Sequence, residues 1–364
     1  MALPRDLVEE VLLRFPPADP ATLVRAALVS TEWHRILAAP RFRRRFLELH
    51  RAPPVLGLLC NLRDGAGYHA CRLVPTNPAF PPHADQANLR ALDARHGRVL
   101  LGGTGPRGDS EEAGRHLAVW DPVTYGLREL PPVLADCNAA LLCGAAGDDA
   151  SACDHLDCHG GPFVVVSLGT GHEAMWLCVY SSDDDSWSEP TYVHPTPEYG
   201  VAREPTALVG NTRYFAIDAG RSILRYGLET REASVIDLPE SSCLYANVLM
   251  TMEDGGLGVA RAERDARLSL WSMEASPNGG IGWTKIRVVE PEKLFPVDAL
   301  PISCNFVGFA HGVGVFFIGT DAGLFSIDLK SGKVGMVCEG NGFHGVVPYM
   351  SFYAPALGSI ASGD

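Results

Sequence analysis

Lysine is almost missing from this sequence. Of 30 basic residues only four are lysine, Lys285, Lys293, Lys330 and Lys333, and none precedes position 285. A GC-rich genome, which favours arginine and alanine codons, is the economical source of that bias. Its chemical corollary is a chain poor in lysine acceptors. Positive charge as a whole is short. The 364 residues carry a formal charge of −13 and a pI near 5.4, which argues against a nucleic-acid binder, because phosphate contacts need clustered Lys and Arg. Long apolar runs are absent too, and no segment reaches the roughly 18 uninterrupted apolar residues of a membrane helix. Charges at Arg5, Asp6, Glu9 and Glu10 break up any signal-peptide hydrophobic region. No Asn-x-Ser/Thr acceptor occurs, and ten cysteines in 364 residues are too dilute for a disulfide scaffold. The expectation is a chain of reduced, mostly buried thiols working in the cytoplasm or nucleus, away from membranes and nucleic acid.

A hydrophobic content of 46 % against 20 % charged residues is that of a globular protein. The length suits one large repeat domain plus a small one. Charge is uneven: residues 1–51 hold nine Arg against six acids, a net of +3, so the rest carries −16.

The apolar period also changes near residue 52. Leu7, Val8, Val11, Leu12 and Phe15 share one helical face, and Pro16-Pro17 ends that helix. Asp19-Pro20 is an N-cap with proline at the first helical position, starting a second helix through Leu23, Ala26 and Ala27. Ser30 caps a third, carrying Trp33, Ile36 and Leu37. Pro40 opens a fourth with Phe42, Phe46 and Leu47. Four short helices in about 50 residues are too few to bury all their apolar faces alone, which points to a partner.

Beyond residue 52 come short β runs bounded by Gly, Pro, Asp and Ser, among them Val99–Gly103, Phe163–Leu168, Arg213–Ile217 and Leu324–Asp328. No amphipathic helix interrupts them, so the body is antiparallel. A strand–turn–strand pattern recurs with Trp120, Tyr180, Tyr226, Trp271 and Ile327 in equivalent places. Two of the intervals fall at the 40–50 residues of a four-stranded propeller blade, and the longer ones contain the insertions Gly144–Pro162 and Pro291–Pro301. Leftover strands at Val55–Asn61, His69–Val74 and Val346–Phe352 supply a sixth, closing blade shared by the two ends of the body. The fold class is α+β multidomain: a small helical head at 1–50, a Pro-rich connection with closing-blade strands at 51–88, and an all-β antiparallel propeller of six blades at 89–364. A β-sandwich is the alternative.

Chemical motifs are few. Gly102-Gly103-Thr104-Gly105 lacks the GK[ST] of a phosphate loop and is a blade-edge turn. Cys153 and Cys158, with Cys137, Cys143, His155 and His159 nearby, lack the second paired spacing of a structural zinc site and belong to a loop insertion. Asp183-Asp184-Asp185 lacks the alternation of a calcium loop and is a hairpin turn. His311 and His344 are core histidines by default. No catalytic constellation, metal site or cofactor is expected.

The head carries the specific signal. Leu3-Pro4-x-Asp6-Leu7-Val8-x-Glu10-Val11-Leu12-Leu13-Arg14-Phe15-Pro16, then Leu23-Val24-Arg25-Ala26-x-x-Val29-Ser30-x-x-Trp33 and Pro40-x-Phe42, resembles an F-box. The body, in Pro53-Pro54-Val55-Leu56-Gly57, Asp93-Ala94-Arg95-His96-Gly97-Arg98-Val99-Leu100 and Trp120-Asp121-Pro122, looks like the propeller-type region of the F-box families of plants, grasses especially. One departure is Thr31-Glu32, where the family often places a basic residue before Trp33. The resemblance implies a non-catalytic substrate receptor of an SCF-type ubiquitin ligase. Its F-box would bind a Skp-type adaptor, and through it cullin and RING subunits, while its propeller holds a target protein. By motif position Leu3, Pro4, Leu7, Val11, Leu12, Val29, Trp33, Pro40 and Phe42 belong to the adaptor interface or the core behind it, with Trp33 as the main anchor. The Arg41–Arg45 run is either a solvated face or a rim that meets an acidic adaptor. Target-binding candidates are the loops Gly103–Gly108, Ser181–Ser186, Met273–Gly280 and Gly340–His344. Other readings are a scaffold acting without ubiquitination and a propeller enzyme or small-molecule sensor. For a ligase receptor, the missing lysines would limit modification of the receptor itself.

Overall fold

The computed structural model describes residues 4–50, 53–63, 69–76, 83–104, 116–133, 136–144, 158, 160–171, 174–194, 200–202, 204–239, 247–262, 267–275, 280–290 and 305–352. Four helices come first: α1 (Arg5–Leu13), α2 (Pro20–Ala27), α3 (Thr31–Ala38) and α4 (Pro40–His50). Local chemistry sets their limits. The Pro4 carbonyl accepts from the amides of Leu7 and Val8 at the start of α1. Asp19 stands at the N-cap of α2, where its carboxylate accepts the Thr22 hydroxyl at 2.6 Å rather than a backbone amide. Ser30 Oγ accepts the Trp33 amide at 3.2 Å and caps α3. Each helix turns one stripe inward, and Val8, Leu12, Leu23, Ile36, Phe42 and Phe46 make a small core of their own.

Six antiparallel sheets follow. The first blade joins β1 (Val55–Arg63), β2 (His69–Pro75) and β3 (Gln86–Ala87). The second holds β4 (Leu89–Arg95), β5 (Arg98–Gly103), β6 (Leu117–Trp120) and β7 (Leu127–Glu129). The third holds β8 (Asp136–Cys143), β9 (Phe163–Thr170), β10 (Met175–Ser181) and β11 (Ser186–Trp187), with β12 (Thr191–Val193) also paired to β10. The fourth is β13 (Ala207–Val209), β14 (Thr212–Ile217), β15 (Ser222–Gly227) and β16 (Ala233–Asp237). The fifth is β17 (Asn247–Thr251), β18 (Leu257–Ala262), β19 (Leu268–Ala275) and β20 (Ile281–Val289). The sixth is β21 (Asn305–Ala310), β22 (Val315–Gly319), β23 (Gly323–Asp328) and β24 (Val334–Glu339).

The last strand, β25 (Phe343–Met350), returns to the first blade and becomes its innermost strand, paired with β1 from Val55–Met350 to Leu62–Phe343. It also packs on β21 and β4, the inner strands on either side of it. The ring is therefore closed by strands from both ends of the body, and the sandwich alternative is excluded. Trp120, Tyr180, Tyr226, Trp271 and Ile327 all fall on the third strand of their blades, as the repeat predicts.

The second strand of each blade is sandwiched between neighbouring blades and is mostly apolar on both faces, with Arg213 of β14 and Arg261 of β18 as buried exceptions. Val99-Leu100-Leu101 in β5 and Phe316-Phe317-Ile318 in β22 are fully buried runs, so the body reads as apolar blocks rather than clean alternation. Inner strands approach closely. A Cβ at Gly308 on β21 would lie 2.1 Å from the Val346 carbonyl oxygen of β25, so only glycine fits there.

Candidate functional site

The helical head splits its expected interface residues into two groups. Leu12 is fully buried, and Phe42 is buried with its ring stacked on Phe46 at 5.9 Å. Both are core. Leu7 and Val11, four residues apart on one stripe of α1, remain 54 % and 49 % exposed. Val29, just past α2, is 63 % exposed, and its neighbour Leu28 is 77 % exposed. Leu28 was not singled out in the motif, although the apolar pair Leu28-Val29 before the cap Ser30 marks a solvent-facing corner. Pro4 and Pro40 are exposed. Trp33 is half-buried and packs against the helical core, so it is partly a support rather than wholly an anchor. Leu3 lies outside the described residues.

The Arg41–Arg45 run is not one free basic face. Arg45 reaches back to α1 and holds Glu9 and Glu10, each at 2.5 Å. Behind α4, His50 Nε2 donates to the Leu13 carbonyl at 3.0 Å. Phe46 meets Phe352, just past β25, edge-on at 6.3 Å.

A second concentration of chemistry lies among the inner strands of the propeller, and no local motif announces it. Arg213 on β14 is fully buried and reaches the inner strands of the second and third blades. Its Nη2 donates to Asp93 Oδ2 on β4 and to the Leu141 carbonyl on β8. Leu141 in turn donates its amide to Asp93 Oδ2 at 2.9 Å, and Ala94 donates to Oδ1. Three blades are thus tied through one carboxylate. At the end of β21, His311 Nδ1 accepts the Thr251 amide at 3.3 Å, which leaves the proton of the neutral ring on Nε2. Burial, helped by the charges of Arg95 and Arg213 and opposed by Asp93, pulls the His311 pKa down to about 4. Burial likewise lowers Arg213 to about 10, so it stays charged at neutral pH.

A base whose folded pKa is depressed loses stability as pH falls. The unfolded chain takes up the His311 proton near pH 6.5 and the folded chain only near 4. Between those values the expected loss is at most about 3 kcal/mol. Urea unfolding at pH 7 and pH 4.5 should show a smaller difference in His311→Gln than in the natural chain.

Asparagines also stitch blades together, Asn138 and Asn247 buried and Asn61 half-buried. Asn61 exchanges two hydrogen bonds with the Ala91 backbone, at 2.8 and 2.7 Å. Asn138 donates to the carbonyls of Ala202 and Glu204, and Asn247 to that of Gly220.

The remaining candidates are quieter. Asp183-Asp184-Asp185 is the expected turn between β10 and β11. Asp185 there accepts from the Tyr180 hydroxyl at 2.6 Å and from Arg128 at 3.0 Å. The Ser181–Ser186 loop borders an open cleft of about 560 Å³ between the second and third blades. Arg98 and Arg128 line it, both lying over the Phe163 ring. Cys143 and Cys158 come to an Sγ–Sγ distance of 3.3 Å, and no group of three metal-ligating side chains occurs among the described residues. Cys153, His155 and His159 lie outside them, as do parts of the Gly103–Gly108 and Met273–Gly280 loops.

Residues 1–45 match the F-box domain family. No curated protein matches the chain. Among solved structures, it is similar to a functionally unknown protein from Desulfotomaculum acetoxidans at 12 % identity and a TM-score of 0.46, over 81 % of this chain and 89 % of that one. TolB from Acinetobacter baumannii matches at 12 % identity and a TM-score of 0.43, over 81 % and 72 %. The extracellular domain of a one-component system from B. thetaiotaomicron matches at 10 % and 0.37, over 77 % of this chain and 36 % of that longer one. The blade count rests on the strand pairings of this chain alone. Its four N-terminal helices are an F-box domain, and they precede a six-bladed antiparallel β-propeller.

Proposed function

We propose that this protein is the substrate-recognition subunit of an SCF-type ubiquitin ligase, of the plant F-box kind, acting in the cytoplasm or nucleus. The observation that carries the reading is the exposure of Leu7, Val11, Leu28 and Val29 on a helical unit that belongs to the F-box domain family. Large apolar side chains left outside a core mark an interface, and a Skp-type adaptor covers them. Cullin and RING subunits follow through the adaptor. The receptor itself performs no chemistry. Its propeller raises the effective concentration of a target protein near the charged ubiquitin, and the Arg98–Arg128 cleft is a surface it can use.

Leu7→Asp combined with Val29→Asp is expected to weaken adaptor binding at least 100-fold, because two buried hot-spot contacts cost about 2 kcal/mol or more each. Both side chains are exposed, so the thermal midpoint should stay unchanged. Titration calorimetry against the purified adaptor checks this, and undiminished affinity would overturn the reading.

The lysine shortage takes a spatial form in this setting. Lys285 lies on the fifth blade with Nζ 4.8 Å from the Trp271 ring centroid, and Lys330 and Lys333 sit in the β23–β24 turn of the sixth. The first four blades carry no lysine at all. Arg225→Lys and Arg231→Lys, both on exposed positions of the fourth blade, are expected to shorten the protein's half-life in cells. A cycloheximide chase that finds equal lifetimes would remove any protective role for the shortage.

A further inference from the structure

We propose that the axis of the propeller holds a small oxyanion, a carboxylate or phosphate group, gripped by Arg213 and Arg95 with the Nε2–H of His311 beside them. The site lies near the C-terminal ends of the innermost strands. Arg95 closes β4, Leu141 stands near the end of β8, Thr251 ends β17, and His311 follows β21. Arg213 enters from β14 behind them.

The case rests on donors without acceptors. Arg213 is fully buried, and of its three nitrogens only Nη2 is engaged; Nε and Nη1 have no partner. Arg95 Nε is buried and unpartnered as well. Asp93 is committed, with Oδ2 receiving Arg213 and the Leu141 amide and Oδ1 receiving the Ala94 amide. Because His311 Nδ1 accepts from Thr251, the Nε2–H of this half-buried ring is a further donor beside those three buried ones. Burying such groups unsatisfied costs about 1–3 kcal/mol each, more where they are charged.

Charge points the same way. Fully buried Arg213 pairs with the Asp93 carboxylate, half-buried Arg95 adds a second positive charge, and each arginine depresses the protonation of His311. The neutral histidine avoids adding a third positive charge and keeps its donor. One bound anion would restore neutrality and take up the free N–H groups through charge-assisted hydrogen bonds. Guanidinium geometry favours oxygen-bearing anions over spherical halides. This inference does not depend on the ligase reading.

The test uses the full chain at pH 7 with sodium phosphate, sodium acetate and sodium chloride at matched ionic strength, followed by thermal unfolding and titration calorimetry. An oxyanion site predicts a midpoint that rises with phosphate or acetate concentration, by mass action, and not with chloride. The tighter of the two separates a phosphate-bearing from a carboxylate ligand. Arg95→Gln, which leaves the Asp93–Arg213 pair in place, should weaken binding about tenfold or more. His311→Phe removes one donor without touching either arginine and should weaken it by a smaller factor. Equal response to all three salts would mean that water fills these donors, and the proposal would fall. It would fall equally if Arg95→Gln and His311→Phe both bind as the natural chain does.

Discussion

A chain stopped after Gly342 loses its cooperative unfolding transition and becomes protease-sensitive from Val55 onward. Such a chain lacks β25, the innermost strand of the first blade. Val347 and Tyr349 belong to the core shared with the second blade, whereas Phe343 and Val346 belong to the core shared with the sixth. All four are buried, and each costs about 2–5 kcal/mol when a large buried side chain is truncated. Their sum equals or exceeds the 5–15 kcal/mol that holds a whole domain together. The backbone loss is as serious, because β1 is left as an open apolar edge. Limited proteolysis and size-exclusion chromatography read the result directly. A compact, cooperatively folding chain ending at Gly342 would show that the ring does not need its closing strand.

Asp93→Ala is expected to destabilise the propeller by about 3–5 kcal/mol, because it strands the Arg213 charge in a buried site. The Leu141 and Ala94 amides lose their acceptor at the same time. Arg213→Met should cost less, since it removes the buried charge and fills much of its volume. The two changes are coupled. Adding Arg213→Met to Asp93→Ala should recover part of the stability that Asp93→Ala removes, and chemical denaturation of the four-member cycle measures the coupling. A loss below about 1 kcal/mol for Asp93→Ala would mean that water reaches the pair.

The helical head was legible because its determinants are local. Pro16-Pro17, Asp19-Pro20, Ser30 and Pro40 act within one turn of where they stand, and the end of α1 and the starts of α2, α3 and α4 follow from them. The blades were legible through the large residues on their third strands, and the closing blade through leftover strands at both ends of the body. Two- and three-residue strands such as β3, β7 and β11 leave no period to read. The axis was illegible for a different reason. Asp93 and Arg213 stand 120 residues apart, and Asn61, Asn138 and Asn247 find partners on other blades. No spacing rule connects such groups, because only closure of the ring sets them side by side. In the head, the motif named Leu7, Val11, Leu12 and Phe42 alike, and the structure separates them: Leu7 and Val11 face out, and Leu12 and Phe42 face in.

The closing strand also imposes a timetable. β1 leaves the ribosome early, yet its partner β25 emerges about 290 residues later, from Val55 to Phe343. At ordinary rates of synthesis that interval is roughly 15–60 s. Throughout it the F-box helices, whose contacts are short-range, are free to fold while the first blade lacks its inner strand. A prematurely ended chain would carry a folded helical head beside a ring that cannot close. Phe352, which follows β25, meets Phe46 on α4, so this contact between the two parts also waits for the closing strand.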